Sequence, residues 1–466
     1  MKKNILQKFL LIFIILLPIL DILSFEFRKI LGTSWSPSTF LRPIIPIVVF
    51  VILFFKEKIK IKSLTIAAIY GLYSLIHLLI YQKLATGISF GGATYELQYL
   101  VNYTFNILTL FVFLFVFYNQ DTNKLKKYVI ISSSIYIFSI YLSIITNTYT
   151  PTYVEGIGIK GWFESGNSLS TTLILNLFIL LAMFNNNNKK IYLIVIVCLI
   201  EIFLLLLLGT RTALLGGLLV AILYIIFTIF YQLKNKVKIN KKLVVCITFL
   251  LSSAIVIVAI IMSSKTIERR KYLASLDAAK DIHTGEILHV TSDISDIYYN
   301  MNNNLLPDEF MSESEEKALD SLYSFANKHE ISCTNRRIQE LMYNIYLVKY
   351  QKNILSIIFG NGLLNNYAEL VLEIELPAFI LNFGIIGFVL YFVPFLIAFI
   401  YALYNGLKYR KNLDSEYLLL LCGLLFAFCS TCFTGVTFFN TSSATFVTLI
   451  IVLLINKIKK YKSNII

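Results

Sequence analysis

Apolar residues are gathered into long blocks along this chain, and short polar or basic segments separate the blocks. Many blocks reach about 20 residues, the length of helix that crosses a hydrocarbon core of about 30 Å. The pattern predicts twelve membrane-spanning helices, near residues 5–24, 39–55, 63–81, 97–118, 127–147, 168–185, 190–208, 212–231, 243–263, 377–403, 416–434 and 440–456. We therefore expect an all-α polytopic membrane protein.

The composition agrees with this interpretation, because 57% of the 466 residues are hydrophobic, whereas soluble domains contain about 45–50% apolar residues. With the N-terminus placed in the cytoplasm, all seven inside segments are basic. They are the initial MKK and residues 56–62, 123–127, 185–190, 234–242, 408–411 and 457–462. Lys and Arg collect on the cytoplasmic side of membrane proteins. Both termini are therefore predicted to be cytoplasmic, and most of the formal charge of +14 faces anionic lipid rather than nucleic acid.

One connection is much longer than the others and divides the chain into three predicted parts. Residues 1–264 carry helices one to nine, residues 265–370 form an extracytoplasmic loop, and residues 371–466 carry helices ten to twelve with a basic cytoplasmic tail. Loops of this length are usually functional or disordered. We expect this loop to cap an extracytoplasmic cavity, and a solvated segment without a role is the alternative.

The loop itself carries signs of helices. Ser312 and Glu315 have the spacing of a capping box at the start of one helix. A second helix is predicted to place four apolar residues on one face: Ile338, Leu341, Met342 and Ile345. A small helical subdomain is therefore expected outside the membrane.

Charged and polar residues at the outer ends of the spans are candidates for function, since a charge at membrane depth costs on the order of 2.5–3.5 kcal/mol. Arg211 lies in a very short connection between spans seven and eight, and a snorkelling interfacial arginine is the alternative. The segment 156–172 leads into span six from outside. Its Trp162, Glu164 and Asn167 suit a sugar-contacting rim, or else a loop and helix cap.

Two more charged groups lie on the same predicted side. Arg336 and Arg337 are adjacent, so at most one of them faces a given ligand. A guanidinium matches a phosphate with two parallel hydrogen bonds, and a solvated helix end is the alternative. Glu369, Glu373 and Glu375 precede span ten, where they supply either reactive carboxylates or an acidic rim that orients the helix N-terminus.

These segments together resemble the bacterial O-antigen ligase/polymerase superfamily, in particular its capsular or surface polysaccharide polymerases of the Gram-positive type. The resemblance covers nearly the whole chain and rests on the order, spacing and outer placement of short motifs. GWFESGN (161–167) is similar to a Gly-Trp-Phe…Asn motif, and GTRTALLG to an Arg-x-x-x-Leu motif at Arg211 and Leu215. TNRR is similar to a Ser/Thr-x-Arg motif that selects Arg336 over Arg337.

The last two motifs lie next to each other in the sequence. FGNGL (359–363) is similar to a glycine-rich segment that follows the large loop. LEIEL…FGIIGF is similar to a Glu-x-Asp pair before Gly-x-x-Gly, here Glu373, Glu375, Gly384 and Gly387. Glu375 stands where aspartate is usual, and the histidine that the ligases carry in this region is absent. A histidine base is therefore not carried over to this chain.

The resemblance implies a glycosyltransferase with a GT-C-like fold, in the cytoplasmic membrane of a bacterium. Its substrates would be a glycan donor on polyprenyl diphosphate and a glycan acceptor, and its candidate protein partners are a chain-length regulator or a flippase. Neither a metal nor a cofactor is expected, because the lipid diphosphate is already a good leaving group. The implied diphosphate ligands are Arg211 and Arg336, the implied base is Glu375 or Glu373, and the implied substrate contacts are Trp162, Glu164, Asn167 and Arg337.

Two other functions remain open at this stage. A ligase that attaches the finished glycan to a final acceptor would use the same chemistry. A flippase or another transporter of lipid-linked oligosaccharide would also need many spans and cationic cavities, and Glu201 within span seven favours it. Transporters tend to show internal repeats, and no clear repeat is found in this sequence.

Overall fold

The computed structural model describes residues 2–32, 37–56, 60–84, 92–118, 120–153, 156–184, 191–235, 265–276, 280, 283, 285–287, 289–307, 310–332, 334–362, 372–433 and 437–463. The N-terminal part contains α1 (Lys2–Leu31), α2 (Pro37–Lys56), α3 (Lys60–Leu84), α4 (Gly92–Phe117), α5 (Asn123–Ile145), α6 (Gly166–Phe184), α7 (Ile191–Leu207) and α8 (Arg211–Asn235). A two-stranded antiparallel hairpin of β1 (Thr150–Pro151) and β2 (Ile159–Gly161) lies between α5 and α6.

The loop and the C-terminal part supply the other helices of the described chain. The loop contains α9 (Lys265–Leu276), α10 (Ser292–Asn302), α11 (Glu313–Lys328), α12 (Arg336–Gln351) and α13 (Ile354–Phe359). The C-terminal part contains α14 (Glu375–Leu381), α15 (Gly384–Tyr391), α16 (Val393–Lys408), α17 (Ser415–Thr431) and α18 (Thr441–Ser463).

Six helices of the described chain are long and apolar enough to cross a membrane: α1, α3, α4, α5, α6 and α18. The pair α15 and α16 makes a seventh if it is one span, and shorter apolar helices lie within α2, α8 and α17. These findings confirm an all-α polytopic membrane protein. The count of twelve stays a prediction, because the ninth predicted span, 243–263, lies outside the described residues.

The tenth predicted span, 377–403, is broken rather than continuous. α14 ends at Leu381, Gly384 begins α15 with a φ of +70°, and a bend of 47° separates α15 from α16. Pro394 lies in the first turn of α16, where a missing N–H costs least. Hydropathy records the apolar residues of this segment but not the breaks that its glycine and proline allow, and a crossing of the membrane by 377–403 as one bent span stays a prediction.

One end of the bundle collects basic segments that the charge pattern assigns to the cytoplasm. Lys234 near the end of α8 donates to the backbone carbonyls of 410–411. Lys126 on α5 and Lys457 on α18 both form ion pairs with Glu416 at the start of α17. Residues from four connections that are predicted to be cytoplasmic thus meet at one end of the bundle. This supports the prediction that successive connections lie at opposite ends of the bundle.

The loop helices build a small hydrophobic core of their own. Its buried residues come from α10, α11, α12 and the segments beside them: Val290, Ile294, Ile297, Met311, Ala318, Leu319, Leu322, Ala326, Tyr343 and Leu347. The predicted capping box is confirmed. The Ser312 side chain accepts from the backbone N–H of Glu315, and the Glu315 carboxylate accepts from the backbone N–H of Ser312. Both exchanged bonds satisfy N–H groups that a helix start otherwise leaves unpaired.

The predicted second helix of the loop is α12, and the apolar face predicted for it is not its buried face. Ile338 and Ile345 are 44% and 41% exposed, and the buried face of this helix instead carries Gln339, Glu340, Tyr343, Asn344 and Leu347. Three of these buried side chains are polar, and each is hydrogen-bonded. Because a polar group can be buried once it has partners, the periodicity of the apolar residues does not identify the buried face.

Two of the motif glycines allow the backbone after α13 and the backbone at the start of α15 to cross in close contact. Gly360 and Gly384 have φ values of +89° and +70°. A Cβ added at Gly360 would lie 2.1 Å from the carbonyl oxygen of Asn382, and one added at Gly384 would lie 2.4 Å from the amide nitrogen of Gly360. Gly362 donates its N–H to the same Asn382 carbonyl at 2.8 Å. This crossing fixes the turn between α14 and α15, and α14 in turn begins at Glu375.

We expect Gly384→Ala to lower the stability of the folded protein by about 2–3 kcal/mol, because a Cβ there meets backbone atoms and a positive φ is strained. Gly71→Ala is the matched control. Gly71 lies in α3, an added Cβ meets no atom within 4 Å, and alanine favours the helix. Thermal unfolding of the purified proteins in detergent measures both effects. Equal unfolding midpoints for the two variants would contradict the crossing.

Candidate functional site

The end of the bundle opposite the basic segments surrounds a polar cavity of about 620 Å³. The ends of α1, α2, α4, α6 and α18 form its wall, together with α12 and the segment before α14. Its charged and amide-bearing lining residues are Asp21, Arg28, Arg42, Gln98, Asn102, Glu164, Asn167, Arg337, Glu373 and Asn440. A cavity with three guanidiniums and three carboxylates suits a ligand that carries both an anionic group and hydroxyls.

Four of the residues predicted from the sequence line this cavity: Glu164, Asn167, Arg337 and Glu373. Arg337 donates from Nε to Glu373 Oε2 at 3.3 Å and from Nη1 to the carbonyl oxygen of Phe433 at 2.6 Å. The side chain of Glu373 remains 49% exposed. The pair therefore presents a cation and a carboxylate, side by side, to a molecule in the cavity.

A buried network around Asp21 was missed by the sequence analysis. Asp21, on α1, pairs with Arg42 of α2 and accepts from the hydroxyl groups of Tyr136 at 2.6 Å and Ser442 at 2.8 Å. Arg42 also donates from Nη1 to Oγ1 of Thr441 at 2.6 Å. Side chains from α1, α2, α5 and α18 thus meet at one wall of the cavity.

Arg28 is a second cavity residue that the sequence did not indicate, and it contacts the predicted residue Glu164. It lies in the last turn of α1 and forms an ion pair with Glu164. A signal for the missed residues was present in the sequence, because Asp21 and Arg42 both fall inside predicted spans, 5–24 and 39–55. Charges within a span mark functional positions by default.

The hairpin and the start of α6 place Glu164 at the cavity. Trp162 donates from Nε1 to Oγ1 of Thr148 at 2.9 Å, and it is not among the lining residues. Ser165, rather than Asn167 or Ser168, caps α6, since its Oγ accepts from the backbone N–H of Ser168 at 3.4 Å. Asn167 is therefore left to line the cavity.

Arg211 lies outside the cavity lining, on the first turn of α8, with its side chain exposed. The preceding Thr210 begins this helix: its Oγ1 accepts from the backbone N–H of Ala213 at 3.0 Å and lies 2.7 Å from Oγ of Ser170 on α6. Because Ser170 is one turn from Asn167, Arg211 belongs to the same end of the bundle as the cavity but does not form its wall.

Arg336 also lies outside the lining, although its neighbour Arg337 lies within it. Its Nε donates to Oε1 of Glu340 at 2.9 Å. The Oε2 of Glu340 accepts the backbone N–H of Glu373 at 3.0 Å. Arg336 and Glu340 therefore support the segment that carries Glu373. Adjacent side chains on a helix point in different directions, and of the two arginines only Arg337 lines the cavity.

Glu375 is fully buried and does not line the cavity. Its carboxylate accepts the backbone N–H groups of Thr437, Phe438 and Phe439, which ties α14 to the segment before α18. A general base has to come within hydrogen-bond reach of the proton that it removes. Of the two predicted carboxylates, Glu373 lines the cavity, whereas Glu375 ties α14 to the wall around Asn440. The third acid, Glu369, lies outside the described residues.

Two other predicted features lie apart from this cavity. Glu201 on α7 is fully buried and accepts from Nδ2 of Asn176 at 3.3 Å, and it does not line the cavity. Within the described ranges, no group of three or more His, Cys, Asp or Glu side chains is arranged to hold a metal ion.

The free energy of unfolding should fall as the pH rises, because Glu340 loses a proton that the folded protein binds tightly. Burial first, and the nearby Glu373 second, raise the pKa of Glu340 to about 8. Because the folded state binds this proton more tightly than the unfolded state, the stabilisation is complete below the ordinary glutamate pKa and is lost as the pH rises through the folded value. Unfolding midpoints of the wild type should decline from about pH 4.5 to about pH 8 more steeply than those of Glu340→Gln. Parallel declines in the two proteins would contradict this.

The comparison with known proteins agrees with this architecture. Residues 3–461 match the family described as "O-antigen ligase like membrane protein", and no curated protein is matched by the sequence. The matched range includes every residue that lines the cavity. The chain therefore belongs to the family of O-antigen ligase like membrane proteins, and it is a multi-pass membrane enzyme of the kind that acts on glycans.

Proposed function

We propose that this protein transfers oligosaccharide units from polyprenyl diphosphate to a hydroxyl group of another glycan, and so lengthens a surface polysaccharide. The reaction takes place at the outer face of the cytoplasmic membrane, with both termini of the chain in the cytoplasm. The observation that carries the proposal is the pairing of Arg337 with the half-exposed Glu373 at the wall of the polar cavity. A chain-length regulator or a flippase is the protein partner that this role implies.

The chemistry needs one group for the proton and several for the leaving diphosphate. The acceptor oxygen forms a bond to the anomeric carbon while the bond from that carbon to the diphosphate oxygen breaks. The electron pair of the broken bond leaves with the lipid diphosphate, and Glu373 takes the hydroxyl proton. Fixed cations stabilise the charge that grows on the leaving oxygen, so neither a nucleotide nor a metal is required.

The cavity holds three cations. Arg28, Arg42 and Arg337 line it, and a guanidinium matches phosphate oxygens with two parallel hydrogen bonds. We therefore propose that Arg28, Arg42 and Arg337 hold the diphosphate during transfer.

Arg211 and Arg336, which the family resemblance selects, have different proposed roles in this arrangement. Arg211 is exposed at the same end of the bundle and is proposed to hold the donor diphosphate before it reaches the cavity. Arg336 is proposed to act through Glu340 on the position of Glu373, because both contacts lie on one chain of hydrogen bonds. Trp162, Glu164 and Asn167 are proposed to form the sugar-contacting rim.

A ligase is the second candidate, since transfer to a final acceptor uses the same groups. Transport is favoured by one observation, the buried Glu201 on α7, whose Oε2 has no hydrogen-bond partner in the described residues. Glu201 does not line the cavity, whereas the arginines and Glu373 do. The grouping of the charges therefore favours transfer over transport.

Glu373→Gln should stop chain lengthening while the protein remains in the membrane, because the glutamine cannot take the hydroxyl proton. We expect the rate to fall by about 10²–10⁴-fold. Glu313→Gln, at an exposed site of the loop, is the control. Gel analysis of glycan released from the cell surface should show single repeats in place of long polymer. Long polymer retained on the lipid carrier would identify a ligase, and single units trapped inside the cell would identify a flippase.

Arg337→Ala and Arg336→Ala separate two neighbouring arginines. We expect Arg337→Ala to abolish lengthening, because it removes a cation from the cavity and the partner of Glu373. Arg336→Ala should leave partial activity, since Glu340 still accepts the backbone N–H of Glu373. Arg211→Ala should raise the donor concentration needed for half-maximal rate more than it lowers the maximal rate. Full activity of Arg337→Ala would exclude the proposed diphosphate site.

A further inference from the structure

The apolar positions of α12 lie on the side of the helix that points away from the core of the loop. We call them the apolar stripe: Ile338, Leu341, Met342 and Ile345. The first and last of them are exposed, and the middle two are half-buried. Tyr343 and Leu347, about half a helical turn away, are buried in the core of the loop. A helix whose polar side is buried and whose apolar side is exposed lacks an apolar partner within its own subdomain.

The start of α12 is held at the cavity end of the bundle. Nη1 of Arg337 donates to the carbonyl oxygen of Phe433 at 2.6 Å, two residues after α17 ends. Oε2 of Glu340 accepts the backbone N–H of Glu373 at 3.0 Å, two residues before α14 begins. The first turn of α12 therefore lies where α17, a predicted span, reaches this end of the bundle.

The other end of α12 is connected to a helix that lies at membrane depth. Two residues separate α12 from α13, which packs against α3 and α15. The carbonyl oxygen of Phe359, the last residue of α13, lies 2.7 Å from Nδ1 of His77 on α3. From His77 to the end of α3 at Leu84 the helix rises by about 10 Å, and α3 is long and apolar enough to cross a membrane. Ile354 and Leu355 of α13 are exposed beside it.

Both ends of α12 are thus fixed to helices of the bundle, and its 16 residues span about 24 Å. A helix held in this way lies along the end of the bundle and does not project from it. Lys349, one turn after Ile345, is exposed, and its Nζ lies 5.8 Å and 5.3 Å from the ring centres of Tyr346 and Tyr350. Lysine and tyrosine beside apolar surface are typical of the boundary between hydrocarbon and water.

We infer that α12 is an interfacial helix, and that the apolar stripe lies in the lipid leaflet at the cavity end of the bundle. The inference goes beyond the transfer reaction and does not depend on it, since it assigns membrane lipid as the partner of the loop. A second copy of the chain would also cover the stripe. The attachment of both helix ends to spans, and the lysine and tyrosines at one end of the stripe, favour lipid.

Tryptophan fluorescence tests this contact in the purified full-length protein, in nanodiscs that hold one copy each. The chain has two tryptophans, Trp35 and Trp162, and both are replaced by phenylalanine in the parent protein. One tryptophan is then introduced by Ile345→Trp or Ile338→Trp, or by Glu313→Trp at an exposed site of α11 as the control. The discs contain phosphatidylcholine with either ordinary or brominated acyl chains, and bromine quenches tryptophan only at close approach.

We expect brominated lipid to lower the emission of Ile345→Trp and Ile338→Trp about twofold, and that of Glu313→Trp by less than about 10%. In ordinary lipid, the two stripe variants should emit at a shorter wavelength than the control, because their rings are out of water. Both stripe positions are already exposed, so the larger ring needs no space inside the protein. Two positions are tested so that a folding failure of one variant leaves the other.

Two other outcomes would overturn the inference. If the stripe variants are not quenched and emit at the wavelength of the control, the stripe lies in water. If they emit at a shorter wavelength but brominated lipid does not quench them, protein covers the stripe instead of lipid. Glycan transfer is not measured in this test, so neither outcome bears on the proposed reaction.

Discussion

The ion pair of Asp21 with Arg42 is the constraint on which the rest of the site depends. Both side chains are largely buried at the cavity end of an apolar bundle, where an unpaired charge would be expensive. Asp21 is satisfied only if Tyr136 and Ser442 reach it, and Arg42 only if Thr441 does. Four helices are thereby held around one polar cavity.

A second set of contacts positions the segment that carries Glu373 and Glu375 beside these helices. Glu375 binds three backbone N–H groups before α18, and Glu340 binds the N–H of Glu373. The crossing of Gly360 with Gly384 fixes the turn that follows α14. These contacts fix the backbone on both sides of Glu373, and in the proposed transfer they place its carboxylate beside the acceptor hydroxyl. Positioning of this kind supplies a large share of the rate in transfer reactions.

Much of the fold could be predicted from the sequence, because apolar blocks and basic connections are properties of single segments. The breaks within 377–403 and the buried face of α12 could not be, since hydropathy records neither the crossing of Gly384 with Gly360 nor the hydrogen-bond partners of buried polar residues. Gln339 and Glu340 look like exposed residues until their hydrogen bonds to other segments are known. Hydrophobic periodicity carries no information on such partners.

The site was predicted in part, for the same reason. Glu164, Asn167, Arg337 and Glu373 meet at the cavity, but Arg28 and Arg42 were missed because each stands at the end of an apolar span and resembles an interfacial residue. Spacing along the chain also could not tell Arg336 from Arg337, or Glu373 from Glu375. The orientation of α12 places Arg337, and not Arg336, in the cavity wall. The backbone N–H groups of residues 437–439 bind Glu375, which leaves Glu373 in the wall.

The most direct test of the central claim is a structure of the purified protein with unreactive polyprenyl diphosphate bound. The claim predicts diphosphate density in the polar cavity, in contact with Arg28, Arg42 and Arg337. Diphosphate density at Arg211 on the exposed start of α8, with the cavity empty, would contradict it.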